Sequence, residues 1–189
     1  MPRIELILAS GSPRRRDLLA EAGYSFRVVP PSEAAEDAAA AGEPAPELVA
    51  RLARQKAADV AKQFGAGLIL ACDTVVECAG QVLGKPRDAT HAREMLSLLS
   101  GREQDVYSGL CLWPLPDGTP RVEVERTILR MRRLSAVEME DYLASGLWQG
   151  KAGGFGYQDR LGWLAIVEGS ESNIVGLPLE RLAKMLREL

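Results

Sequence analysis

Lys56, Asp73 and Lys85 carry charge where their surroundings are apolar, and a carboxylate with two ammonium groups is material for acid–base, metal or anion chemistry. On a helical projection of residues 47–64, Leu48, Val49, Leu52, Ala53, Val60 and Phe64 define an apolar arc, and Lys56 falls near its middle. An unpaired buried ammonium is costly, so Lys56 either has a partner or runs its stem to the helix edge. Asp73 interrupts the run 68–76, which is apolar on both faces and reads as an interior strand. A carboxylate there must pair with a cation or hold a metal. Lys85 follows Val82-Leu83-Gly84, after residues 77–81 that read as a hairpin turn. Centred on Ala79-Gly80, the pairing sets Lys85 almost opposite Asp73, at the roughly 5 Å of cross-strand neighbours. A purely structural ion pair is the alternative, although such a pair is more cheaply placed at the surface.

A second constellation lies at residues 7–16, Ile-Leu-Ala-Ser-Gly-Ser-Pro-Arg-Arg-Arg. An apolar strand stops at Ser10-Gly11-Ser12, and Pro13 stands at a first helical position. Strand, tight loop and helix start make an anion site, because free N–H groups and the helix dipole point at the loop. Hydroxyls and arginines beside it suit phosphate. Successive helix residues are about 100° apart, so at most two of Arg14, Arg15 and Arg16 can serve one ligand. An ordinary strand-to-helix turn, capped by Ser12 with solvated arginines, reads the same stretch. Residues 150–159 are a glycine-rich loop with one lysine, one glutamine and two aromatics, able to bring backbone close to a ligand or to move at the surface. His91 is the only histidine and begins a polar helix, which leaves no Ser-His-Asp or Cys-His arrangement, and no P-loop motif occurs.

Five helical patterns and seven strand-like runs position these residues. The helices lie at 13–22, 47–64, 88–99, 135–145 and 178–188, the fourth opening with a Ser135-x-x-Glu138 capping box. The strands lie at 3–9, 26–29, 67–76, 81–84, 105–113, 121–133 and 162–168. Their alternation predicts α/β layers around a mixed sheet. Residues 30–46, rich in Pro, Ala and Glu, read as a loop. At 189 residues the chain fits one domain or two closely joined lobes, and its net charge of -3 supplies no basic field for nucleic acid or an anionic membrane. Three cysteines without paired spacing fit neither a disulfide framework nor a zinc site, and no apolar run is long enough to span a bilayer. A cytoplasmic setting follows.

Seven segments resemble, in order and over nearly the whole chain, the Maf family of nucleoside triphosphate pyrophosphatases. They are Leu8–Arg15, Leu52–Ala57, Ala71–Val76, Leu83–Pro86, Leu99–Arg102, Lys151–Gln158 and Val175–Leu179. The resemblance implies one domain over 1–189, an elongated mixed sheet flanked by helices, and two lobes with a central cleft. It implies hydrolysis between the α- and β-phosphates with a divalent cation, Mg²⁺ or Mn²⁺. Ser10, Ser12, Arg14 and Arg15 would hold phosphate; Glu33, Lys56, Asp73 and Lys85 would form the catalytic cluster. Asp73 matches a proposed proton acceptor, and Asp73 with Glu33 would hold the metal. Glu36 is the nearest rival to Glu33. Arg15, Thr74 and Gln158 match positions tied to nucleotide choice, in the pattern of a subgroup acting on dTTP and UTP.

The sequence departs from the family pattern at Gln104, where many members have histidine, and at Asp159, where glycine follows the glutamine; both bear on base selectivity. Alternatives within the resemblance are a pyrophosphatase clearing other non-standard nucleotides and a non-catalytic regulator of septum formation. The nucleotide would be the partner, without nucleic acid or membrane, and a homodimer is compatible with the resemblance.

Overall fold

The computed structural model describes residues 5–35 and 42–189, so Glu36 lies outside the described residues. The apolar runs become β1 (Leu6–Ala9), β2 (Phe26–Val28), β3 (Gly67–Cys78), β4 (Gln81–Leu83), β5 (Glu103–Leu115), β6 (Arg121–Met131) and β7 (Leu164–Glu168). They form a seven-stranded sheet in the order β2-β1-β3-β5-β6-β7, with β4 paired to β3. β1 runs parallel to β2 and β3, whereas β3–β4 and β6–β7 are antiparallel, so the sheet is mixed. The helices are α1 (Pro13–Glu21), α2 (Ala45–Ala61), α3 (Ala89–Leu99), α4 (Ala136–Ser145), α5 (Glu171–Val175) and α6 (Leu179–Arg187). Only α5, a single short turn and a half, was not expected from the helical periodicity.

The chain divides into two compact units. One comprises Met1–Asp73, Ser108–Glu125 and Gly176–Leu189; the other comprises Thr74–Tyr107 and Arg126–Val175.

Period-two alternation builds the first unit. Leu6, Leu8, Leu68, Leu70, Cys72, Leu110 and Leu112 pack with Leu19 of α1 and with Leu177, Leu182 and Met185. The intervening Ile7, Ala9, Ile69, Ala71 and Cys111 pack with Ala53, Ala57 and Val60 of α2. Helices on both faces account for strands apolar throughout. Small residues let α2 lie close: a Cβ placed on Gly109 would sit 2.2 Å from the Val49 carbonyl oxygen, so only glycine is admitted there. α2 starts on Pro44 in extended conformation, with Pro46 and Glu47 in its first turn, as fits the positive end of a helix.

In the second unit, Val76, Cys78 and Leu83 of the β3–β4 hairpin join α3, α4, Val106, Leu129 and Met131 in one core. Asp88 caps α3 by accepting from the His91 N–H at 2.8 Å. Both halves of the Ser135–Glu138 capping box are present, and α4 ends on Gly146 at φ 71°, where glycine carries no Cβ penalty. Tyr142 and Trp163 meet edge to face at 5.0 Å between centroids.

All three cysteines are free and buried. Loss of solvent pushes the Cys111 thiol up to about 12, so it behaves as an inert core residue. Among the described residues, no helix is long and apolar enough to cross a membrane.

Candidate functional site

Asp73 has the same parity along β3 as Ile69 and Ala71, whose side chains pack on α2. Lys56 lies on the buried face of that helix, among Leu52, Ala53, Ala57 and Val60. Its Nζ donates to Asp73 Oδ1 at 2.6 Å. Lys56 is 5% exposed and Asp73 9% exposed, so the lysine does not run its charge to solvent. Charge withdrawn this far from water is tolerated only when paired, and a well-packed apolar pair would be at least as stable. Stability therefore does not account for the pair. Asp73 Oδ2 lies outside it.

The loop after β1 is organised by Ser10, which is buried. Its hydroxyl oxygen accepts from the Ser12 N–H at 3.2 Å and from Arg15 Nη1 at 3.3 Å. Arg15 Nε donates to the Gly176 carbonyl at 2.7 Å, which ties α1 to the segment before α6. The sequence held no signal for Gly176 as that anchor beyond its place in the matched segment Val175–Leu179. Ser12 makes no side-chain cap; instead its carbonyl accepts the Arg16 N–H at 3.3 Å. No acidic residue stands in the first turn of α1, so the positive end of this nine-residue helix keeps its charge. Arg14 and Arg15 are half-buried, whereas Arg16 is exposed and pairs with Asp17.

Glu33 is exposed on a 3-10 turn, Glu33–Ala35. The preceding residue fixes that turn to α2: the Ser32 N–H donates to Asp59 Oδ2 at 2.7 Å. This hydrogen bond holds the Asp59 carboxyl below the usual carboxylate range, helped by Lys62.

The hairpin has the expected register, with Val76 opposite Leu83 and Cys78 opposite Gln81 around Ala79-Gly80. Lys85 is exposed two residues beyond the end of the ladder at Leu83, and the ammonium on Asp73 is that of Lys56. The chain leaves the ladder at Gly84, whose carbonyl accepts the Gly153 N–H at 2.9 Å, and Pro86 has no N–H to resume it.

The glycine-rich loop is built on a buried cluster that sequence reasoning missed. Lys151 Nζ lies 2.6 Å from both carboxylate oxygens of Asp159, and Tyr142 Oη donates to Asp159 Oδ2 at 2.9 Å. The eight-residue spacing falls in irregular chain, where no periodicity announces a pair. Gln158 is exposed beside it, on the 3-10 turn Tyr157–Asp159, and Thr74 is half-buried on β3. Gln104 is buried on β5, and neither atom of its amide has a hydrogen-bond partner among the described residues.

Among the described residues, no three or more His, Cys, Asp or Glu side chains are grouped to hold a metal ion. The donors available at Asp73 and Glu33 are hard carboxylate oxygens. That set suits Mg²⁺ or Mn²⁺, which keep waters and take one or two carboxylates with substrate phosphates, and not a fully caged ion.

A family model described as Maf-like protein matches residues 5–189. A dTTP/UTP pyrophosphatase of Rhodopirellula baltica is 54% identical over 182 residues, covering 96% of this chain and 80% of the relative. One from Brucella abortus is 41% identical over 191 residues, covering 97% of this chain and 91% of the relative. Among solved structures, a HAM1 protein from Coxiella burnetii superposes with a TM-score of 0.53 at 20% identity, covering 98% of this chain and all of that one, a likeness of fold.

Proposed function

Because this chain belongs to the Maf-like protein family, we propose that it hydrolyses dTTP and UTP to the nucleoside monophosphate and pyrophosphate. The buried Lys56–Asp73 pair carries the reading: a charge pair that stability does not require, within a chain whose named relatives cleave such nucleotides. Cleavage of a phosphate anhydride asks a protein mainly for positioning and for charge opposite the phosphates.

Ser10, Ser12, Arg14 and Arg15 bind phosphate oxygens at the positive end of α1. Asp73 orients the attacking water and receives its proton, while Lys56 and Lys85 stabilise the charge that gathers on the phosphates. Arg15, Thr74 and Gln158 select the base. A divalent cation, Mg²⁺ or Mn²⁺, held by Asp73 and Glu33 with phosphate oxygens, would neutralise charge and lower the pKa of bound water. The catalytic domain spans 1–189, works on free nucleotides in the cytoplasm without nucleic acid or membrane, and assembles as a homodimer.

A panel of the common ribo- and deoxyribonucleoside triphosphates with added Mg²⁺ or Mn²⁺ tests the reading. Turnover highest for dTTP and UTP supports it. Preference for purine or methylated bases moves the chain to a different substrate group, and binding without turnover moves it to a regulator.

A further inference from the structure

We propose that Asp159 is a positioning residue that holds Gln158 in the orientation from which it selects the pyrimidine nucleotide. This rests on reading Gln158 as a selecting residue.

Asp159 closes the 3-10 turn on which Gln158 stands. Its side chain is 8% exposed and its carboxylate is bound three ways, by both contacts to Lys151 Nζ and by the Tyr142 hydroxyl. Tyr142 is itself fixed, buried against the Trp163 ring. Gly150, Gly153, Gly154 and Gly162 in the surrounding chain are all at positive φ, while Phe155 and Trp163 pack into the core on either side of the turn. Removing the carboxylate would leave the Lys151 ammonium buried without a counter-charge and the turn without its tether.

Gly156 shows how Gln158 is coupled to the cluster. A Cβ at that position would lie 2.7 Å from Lys151 Nζ, 2.9 Å from Asp159 Oδ2 and 2.9 Å from Gln158 Nε2. Three polar ends thus gather over one bare α-carbon, and two are locked in a buried ion pair. The Gln158 amide nitrogen lies on the same side of Gly156 as the ion pair, and the tethered turn sets the backbone from which its side chain projects. Pre-set orientation of this kind favours binding of the selected base.

The test is steady-state kinetics with dTTP, UTP, dCTP and dATP for wild type, Gln158→Ala, Asp159→Asn and Tyr142→Phe, with thermal unfolding of each. Asp159→Asn is expected to raise KM for dTTP and UTP about tenfold while kcat changes less than about twofold, the split expected of lost binding rather than lost chemistry. Its dTTP-to-dCTP preference should fall in the same direction as that of Gln158→Ala, with Tyr142→Phe showing a smaller shift. If Gln158→Ala loses the preference while folded Asp159→Asn keeps it, the proposal is overturned and the role of Gln158 stands. A preference unchanged in Gln158→Ala overturns the role of Gln158 and the proposal with it. Should Asp159→Asn not fold, Tyr142→Phe decides, and an unchanged preference there overturns the proposal.

Discussion

Lys56 Nζ meets Asp73 Oδ1 at 2.6 Å, joining the buried face of α2 to an interior strand. Removing either charge strands the other in a core, at a cost of about 3–5 kcal/mol. Asp73→Asn is therefore expected to lower the melting temperature and reduce turnover by about 10²–10⁴-fold, the range of a lost general base. The double variant Lys56→Met with Asp73→Leu separates the two effects. It should recover most of the stability and none of the activity, as read by thermal unfolding and pyrophosphate release. Wild-type turnover in the folded double variant would refute the assignment.

The contact between Gly109 and α2 carries the same helix. A methyl group at 109 meets the Val49 carbonyl at 2.2 Å, backbone that cannot swing aside. Gly109→Ala is expected to destabilise by about 1–3 kcal/mol or more and to lower activity by shifting the helix that bears Lys56. Urea unfolding with parallel assays checks both. Unchanged stability would mean that α2 lies further from β5.

Glu138 sets a pH dependence. The Arg132 guanidinium, then the Ser135 N–H and hydroxyl, hold its carboxyl at about 2, against 4.5 for an unperturbed glutamate. A depressed folded value stabilises above the unfolded one, and the contribution fades as pH falls from about 4.5 to about 2. The melting temperatures of wild type and Glu138→Gln should differ most above pH 5 and converge near pH 2. A difference that is constant with pH would contradict the capping arrangement.

Gln104 is buried with its amide unpaired among the described residues. Replacing a buried unsatisfied amide by an apolar side chain of similar shape removes a desolvation penalty of about 1–3 kcal/mol. Gln104→Met should raise the melting temperature by roughly 2–4 °C per kcal/mol. Differential scanning calorimetry would show it, and a fall would indicate that the amide is satisfied in solution.

The strands were legible because helices on both faces leave continuous apolar runs, and the helices because caps and prolines mark their ends. Lys56 and Asp73 were legible for the opposite reason, as violations of those patterns. The partner of Asp73 was not. The turn at Ala79-Gly80 was placed correctly, but beyond Leu83 the chain bonds through Gly84 to Gly153, a contact 69 residues away that no local spacing encodes. The Lys151–Asp159–Tyr142 cluster was hidden likewise, since irregular chain has no period to break. Asp159 stood out only as a departure from a resemblance.

The most direct measurement is phosphorus NMR of dTTP and UTP incubated with the protein and Mg²⁺ or Mn²⁺. Equimolar nucleoside monophosphate and pyrophosphate are expected, formed about 10²–10⁴-fold more slowly by Asp73→Asn. Diphosphate with orthophosphate, or no product at all, would contradict the account.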